Sequence, residues 1–363
     1  MIYLALLILI VTVLQFIVAL MNRLFREDYG KYKATEHDLV SVIVPARNEE
    51  IHIGKLLKQL RLQTYKNLEI IVVDDDSTDQ TGAIVMDQAK EDNRIHLIRT
   101  TLREKSWLGK NHACYQGAIS AEGKHLLFID ADVQLGPTAI DSLMGYYQQR
   151  KTVFLSVFPR QLLPNREVSE VVPVMNYILL SLLPLILVRK SPFTSIAAAN
   201  GQVMLFDRQI YEAFQPHKRF KHEKVEDISI ARFLKSKRFH IACLTGNEDI
   251  ACTMYSSRDE ALEGFSKNVV AFFGNSYFAA IAFWFISFTG LLWVTIGLGW
   301  SFGFLYLALT AAIRIMISKS SKQDSVLNLR LHYIQLYRLG TIIYKSLNHR
   351  INKTYQWKGR NIS

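Results

Sequence analysis

Apolar and polar positions fall into three regimes along this chain. Met1 to Met21 is an almost unbroken apolar run, long enough as a helix to cross a hydrocarbon core of about 30 Å. From Asn268 to Ile313 there is no Lys, Arg, Asp or Glu. That stretch suits two spans joined by a tight turn near Gly297 to Gly299. Between these regimes, short β-branched runs alternate with segments of helical spacing. Leu39 to Val44, Leu68 to Val73, Ile95 to Ile98 and His125 to Ile129 read as strands, and Ile51 to Leu62 as a helix. Such alternation predicts an α/β domain with a mainly parallel sheet, whose ligands sit at the C-terminal strand ends.

Charge orients the spans. No Lys or Arg precedes the first run, whereas Arg23, Arg26, Lys31 and Lys33 follow it, and Lys267, Arg314, Lys319 and Lys322 flank the second region. The positive-inside rule then puts the N-terminus outside and residues 22–267 in the cytoplasm. The expected organisation is an anchor over 1–21, a catalytic domain over 22–267, a two-span hairpin over 268–313 and a basic cytoplasmic tail over 314–363. The organisation expected is that of a multi-pass protein of the cell (inner) membrane. A cleaved signal peptide would need a basic segment ahead of its apolar run, and none is present.

Val171 to Val188 is apolar but interrupted by Pro173, Asn176, Ser181 and Pro184. If it crossed the bilayer, acidic motifs on its two sides would be separated, so a helix in the membrane interface is expected. A buried core helix is the alternative. Val326 to Ile351 mixes apolar residues with Arg330, Arg338 and Lys345, and also reads as an interfacial helix.

The 363 residues are half apolar and carry a formal net charge of +11; mean hydropathy is just above zero. This excludes a many-span transporter and favours an ordinary domain held to a bilayer. The basic balance fits an anionic membrane surface or a phosphate-bearing substrate, and no nucleic-acid reader motif accompanies it. Cys114, Cys243 and Cys252 are scattered and form no Cys-x-x-Cys.

Chemistry gathers after the strands. Pro45-Ala46-Arg47-Asn48-Glu49-Glu50 follows the first, Asp74-Asp75-Asp76-Ser77-Thr78-Asp79 the second, and Asp130-Ala131-Asp132 the fourth. Asp79 suits a helix cap. Two carboxylates at i and i+2 suit a hard divalent cation that also binds diphosphate oxygens.

Together, PARNEE, VVDDDSTDQT, GKNHACYQG and FIDADV resemble the family 2 glycosyltransferases, and SWLGKNHACYQG with QWKGR resembles members associated with carotenoid and hopanoid glycosylation. The resemblance implies a GT-A fold, an inverting transfer, a UDP-sugar donor, a Mg2+ or Mn2+ ion and a lipid-soluble acceptor. It places Pro45, Arg47 and Glu49 at the nucleotide and Asp75 on the uracil ring, with Asp76 where the family commonly has Gly. Lys110, in the Gly109-Lys110-Asn111 element, is placed beside the nucleotide; a solvated residue at a helix start is the alternative. Asp132 is the expected metal ligand, with Asp130 nearer the sugar and ribose and a second candidate for the metal. Glu226-Asp227 matches the acidic pair, Asp227 as base and Glu226 as alternative or orienting neighbour. Asn200-Gly201-Gln202 matches an acceptor-side glycine element. Trp357, Lys358 and Arg360 of QWKGR loosely match a motif that closes over the nucleotide. The rival functions are a polysaccharide synthase and a catalytically inactive membrane scaffold.

Overall fold

The structure, a computed structural model, describes residues 1–100 and 107–352, and the backbone alone of Gln356–Trp357 and Arg360–Asn361. The chain divides into two compact units. One comprises 27–160 and 186–252; the other comprises 1–26, 161–185 and 253–363.

The first unit is built on a seven-stranded sheet. We number its strands β1 (Val40–Ala46), β2 (Leu68–Asp74), β3 (Ile95–Arg99), β4 (His125–Ile129), β5 (Phe154–Phe158), β6 (Val203–Asp207) and β7 (Ile241–Thr245). Their spatial order is β3-β2-β1-β4-β6-β5-β7. β1 pairs in parallel with β2 and β4, β2 with β3, and β5 with β7; β6 runs antiparallel between β4 and β5. Layers on both faces explain why the central strands read as continuous apolar runs rather than alternating ones. Val42, Val44, Ile70, Val72, Leu127 and Ile129 are all within one core cluster.

β1 runs through Pro45, where a strand end was expected, and stops at Ala46 opposite Asp74. The Asp75 N–H then closes onto the Ala46 carbonyl at 2.8 Å. Parallel register therefore brings the ends of β1, β2 and β4 to one edge. The Gly109–Ser120 helix lies close against this sheet. A Cβ at Gly117 would sit 2.4 Å from Ile43 Cγ2, so the second glycine of GKNHACYQG serves packing rather than chemistry.

Among the described residues, the second unit holds three helices long and apolar enough to cross a membrane by length and composition: Ile2–Leu24, Tyr277–Leu298 and Trp300–Ser320. Small residues let them approach. A Cβ at Gly297 would meet Ala5 Cβ at 2.7 Å, and one at Gly290 would meet the Tyr306 hydroxyl at 2.4 Å. Ile10, Leu14 and Ile17 point outward while Thr12 and Gln15 point inward, the arrangement of a helix solvated by lipid.

The boundaries differ from the expected ones. The hairpin does not begin at Asn268. Val269–Phe273 is a 3₁₀ turn, Gly274 is left-handed, and the helix starts where Ser276 Oγ accepts the Ala279 N–H at 3.2 Å. Nor does it end at Ile313. Arg314 is 2% exposed, its charge facing His332 Nδ1 at 2.7 Å and Gln335 Oε1 at 2.8 Å, so the helix continues past it to Ser320. The turn falls at Gly299, whose φ of 91° suits glycine.

Val171 to Val188 is not one helix. Pro173–Leu182 belongs to the second unit and Ile186–Lys190 to the first. Pro184 breaks the run, and Asn22 repairs the break. Its amide donates to the Leu180 and Leu183 carbonyls at 2.9 and 2.8 Å, and its oxygen accepts the Leu185 N–H at 2.8 Å. A helix of 10 residues is too short to span. The single tail helix expected over Val326 to Ile351 is two, Ser325–Arg330 and His332–Asn352. In QWKGR, Gln356–Trp357 pairs antiparallel with Arg360–Asn361; Lys358 and the side chains of Trp357 and Arg360 lie outside the described residues.

Candidate functional site

The loops after β1 and β2 hold each other through side-chain-to-backbone hydrogen bonds. Arg47 Nη1 donates to the Asp75 and Asp76 carbonyls at 2.5 and 2.8 Å and lies 3.5 Å from the Asp76 carboxylate. The Asn48 N–H reaches Ser77 Oγ at 3.0 Å, and Asn48 Oδ1 accepts the Thr78 N–H at 2.9 Å. The Glu49 N–H donates to Thr81 Oγ1 at 2.7 Å and the Glu50 N–H to Asp79 Oδ2 at 3.1 Å. Asp79 also accepts the Thr81 N–H at 3.0 Å, but it stands one residue ahead of the N-cap Gln80 and so ties the loop to the helix start rather than capping it as expected.

Asp75 thus ends up 3% exposed at the tip of β2, where a ring N–H could reach its carboxylate. Asp76 has φ of 60°, a left-handed conformation that Gly adopts freely and Asp tolerates. This explains how Asp can stand where the family commonly has Gly.

A second cluster surrounds the Gly201 peptide. Lys110 Nζ lies 2.7 Å from Asp130 Oδ2 and 3.2 Å from the Gly201 carbonyl. On the other side, the Gly201 N–H donates to Asp227 Oδ2 at 2.8 Å, and Asp227 Oδ1 accepts the Ile228 N–H at 2.8 Å. A Cβ at Gly201 would sit 3.2 Å from both Glu226 Oε1 and Lys110 Nζ. Three acids and one lysine therefore gather around one peptide, Glu226 buried and the other three partly exposed.

Burial pushes the Glu226 carboxyl up to about 7, with Lys110 pulling it down and Asp227 pushing it further up. Burial also raises Asp227, against the two N–H groups and Lys110. Burial opposes the Lys110 charge, but Asp130 and Glu226 outweigh it and raise the amine overall. Lys110 was expected at the nucleotide; the structure sets it between Asp130 and the acid pair.

Asp132 sits in different surroundings. The Cys252 thiol donates to Asp132 Oδ2 at 3.2 Å, Gln202 Nε2 lies 3.4 Å from both carboxylate oxygens, and Gln202 Nε2 donates to Cys252 Sγ at 2.9 Å. Neither Gln202 nor Cys252 was legible as a site residue. Gln202 lay in the glycine element already noted, whereas Cys252 carried no spacing signal.

Asp132 alone of the two acids faces only neutral donors, which a cation could displace. Among the described residues no group of three or more His, Cys, Asp or Glu forms a metal cage. Asp132 could therefore offer a divalent cation a carboxylate ligand, with any further ligands coming from outside this cluster. Asp130, engaged by Lys110, fits that role less well than expected.

Residues 41–214 match the family described as "Glycosyl transferase family 2". The chain carries a family 2 glycosyltransferase domain. It is 26% identical over 260 residues to a 4,4'-diaponeurosporenoate glycosyltransferase of Staphylococcus haemolyticus, covering 68% of this chain and 66% of that protein. A protein of the same name from Staphylococcus aureus is 28% identical over 267 residues, with the same coverage. The matches thus span just under two thirds of these relatives' length.

Among solved structures, a mannosyltransferase from Pyrobaculum calidifontis in complex with GDP-Man and Mn2+ superposes with a TM-score of 0.54. Its identity is 18%, over 95% of this chain and 99% of that one. At that identity the likeness speaks for the fold. The family, the enzyme class and the GT-A-like α/β fold read from the motifs are borne out. The strand-end loops, Lys110 and Asp132 lie within the matched range; Glu226, Asp227 and Cys252 lie beyond it.

Proposed function

We propose that this chain transfers a sugar, with inversion, from a nucleoside diphosphate sugar to a hydroxyl of a membrane lipid or isoprenoid-type acceptor. Asp227 carries the reading. It is a partly buried carboxylate at the start of a helix, held by two backbone N–H groups. That is what a base facing an incoming hydroxyl requires. Glu226 beside it orients the acceptor or shares the proton.

Pro45, Arg47 and Glu49 shape the nucleotide loop, and Asp75 accepts from a base N–H. Uracil offers such a donor, which supports a UDP-linked sugar; guanine does as well, so the donor assay must include GDP-sugars. A divalent cation held by Asp132 would neutralise charge on the departing diphosphate. Lys110 keeps Asp130 and the acid pair in place during transfer.

The acceptor class rests on the relatives named for 4,4'-diaponeurosporenoate and on the three apolar helices. The basic residues that follow the first helix and flank the other two favour a cell-membrane protein with residues 22–267 on the cytoplasmic side.

The test is transfer of radiolabelled sugars from a donor panel into total lipid extract, with membranes that contain or lack the chain. One organic-soluble product, lost on chelation, supports the reading and names the donor. A ladder of high-molecular-weight product would replace it with a polysaccharide synthase. Failure to turn over any donor, even by hydrolysis, would leave an inactive scaffold.

A further inference from the structure

The surface of the first unit carries an aromatic and basic patch that the transfer chemistry does not use. Phe233 lies on the outer face of the Glu226–Ser236 helix. Phe214 meets it edge-on at 5.4 Å, Phe220 packs at 6.0 Å, and Phe239 continues the cluster 5.7 Å from Phe214. All four rings are half-buried rather than enclosed. Arg219 stands over Phe233 at 4.3 Å and Lys237 at 5.9 Å.

Lys218, Arg219, Lys237 and Arg238 are all exposed, and none makes an ion pair among the described residues. Of the acids in this segment, Glu212 is paired with Arg208 at 2.6 Å, and Glu223, beside Phe220, is exposed, leaving the cations in excess. Arg238 adds a second observation. Its φ is 63°, just beyond the helix end, where glycine is favoured and a side chain costs about 1 kcal/mol. The fold places a cation there despite that cost.

We propose that this patch is a docking face for the anionic headgroup layer of a bilayer. The cations complement phospholipid charge, and half-exposed rings flanked by cations match the chemistry of the membrane interface. A bilayer is favoured over an acidic protein because the same chain carries the three apolar helices. Tethering keeps a lipid surface at high effective concentration, so weak contacts suffice. The inference uses the membrane reading of those helices but not the transfer reaction. It adds a lipid contact made by the catalytic unit itself, at the C-terminal end of the helix that opens with Glu226 and Asp227.

The full chain would be seated in nanodiscs of phosphatidylcholine alone or mixed with phosphatidylglycerol, and amide hydrogen exchange followed over residues 212–239. This readout is independent of turnover. Anionic discs are expected to slow exchange over 216–222 and 233–239 by about five-fold or more, given the attraction of each cation to an anionic surface. The combined Lys237→Gln and Arg238→Gly variant should lose much of that protection. Glycine suits the backbone at 238, so a folding defect is not expected, and activity in neutral discs should be unchanged. Equal exchange in both disc types, or protection that survives the variant, would overturn the proposal. So would equal protection in neutral discs by added poly-glutamate, which would assign the patch to an acidic protein partner.

Discussion

Lys110 Nζ and Asp130 Oδ2 lie 2.7 Å apart, which makes the lysine of the Gly-Lys element a counter-ion for the acid cluster. Without it, Asp130, Glu226 and Asp227 would face one another with no cation between them. Lys110→Met should therefore cost about 2 kcal/mol of stability, short of the fully buried case because each side chain is 24% exposed. Thermal unfolding of the purified chain, with Lys110→Arg as the charge-preserving control, checks this. An unchanged unfolding temperature in Lys110→Met would contradict it.

Asp227→Asn should lower kcat by about 10³-fold while leaving the fold intact. The asparagine oxygen can keep one of the two N–H bonds while its NH2 opposes the other, so some positioning is lost together with the basicity. Circular dichroism and donor binding should match the parent chain. Residual activity above a tenth of the parent would remove Asp227 as base.

The Glu226 carboxyl, raised to about 7 by burial, predicts two opposite pH dependences. Turnover should rise with pH up to about 7 as the acid pair ionises, and Glu226→Gln should flatten or shift that limb. Stability should move the other way. A carboxyl whose folded pKa lies above its ordinary 4.5 favours folding while protonated, so its contribution is present below 4.5 and lost as pH rises through about 7. Denaturant melts of Glu226→Gln across this window should lack that decline.

Chelation should abolish transfer, and Asp132→Asn should do so even with excess Mg2+ or Mn2+. Gln202 acts on a bound cation through Asp132, 3.4 Å away, and should have a smaller role. Gln202→Leu should weaken apparent metal affinity by about ten-fold, as read by Mn2+ electron paramagnetic resonance in the presence of nucleotide. An unchanged titration would limit Gln202 to packing.

Gly299 has φ of 91° between the Tyr277–Leu298 and Trp300–Ser320 helices, with open space where a Cβ would point. Gly299→Ala therefore meets no clash and isolates backbone strain. It should lower stability in detergent by about 1 kcal/mol or more. A neutral effect would mean the turn relaxes without cost.

What the sequence determined by itself was local and periodic. Strand runs such as LEIIVV, a turn near Gly297 to Gly299 and the three apolar helices were legible because hydrophobic period and chain-length requirements are short-range signals. The strand-end motifs were legible because their order and spacing along the chain carried the family resemblance.

Tertiary structure decided what depends on residues far apart. Pairing of β6 against β4 brought Gly201 and Gln202 beside Asp130 and Asp132. Only then did Lys110 become the counter-ion of the acid pair and Cys252 a donor to Asp132. The hairpin's true limits likewise hung on Arg314 meeting His332 and Gln335, and the break at Pro184 on Asn22. A charge fails to end a buried helix when a distant partner satisfies it, and a proline break is accommodated in the interior when a distant side chain takes up its freed backbone groups; such partners exist only once the chain has folded.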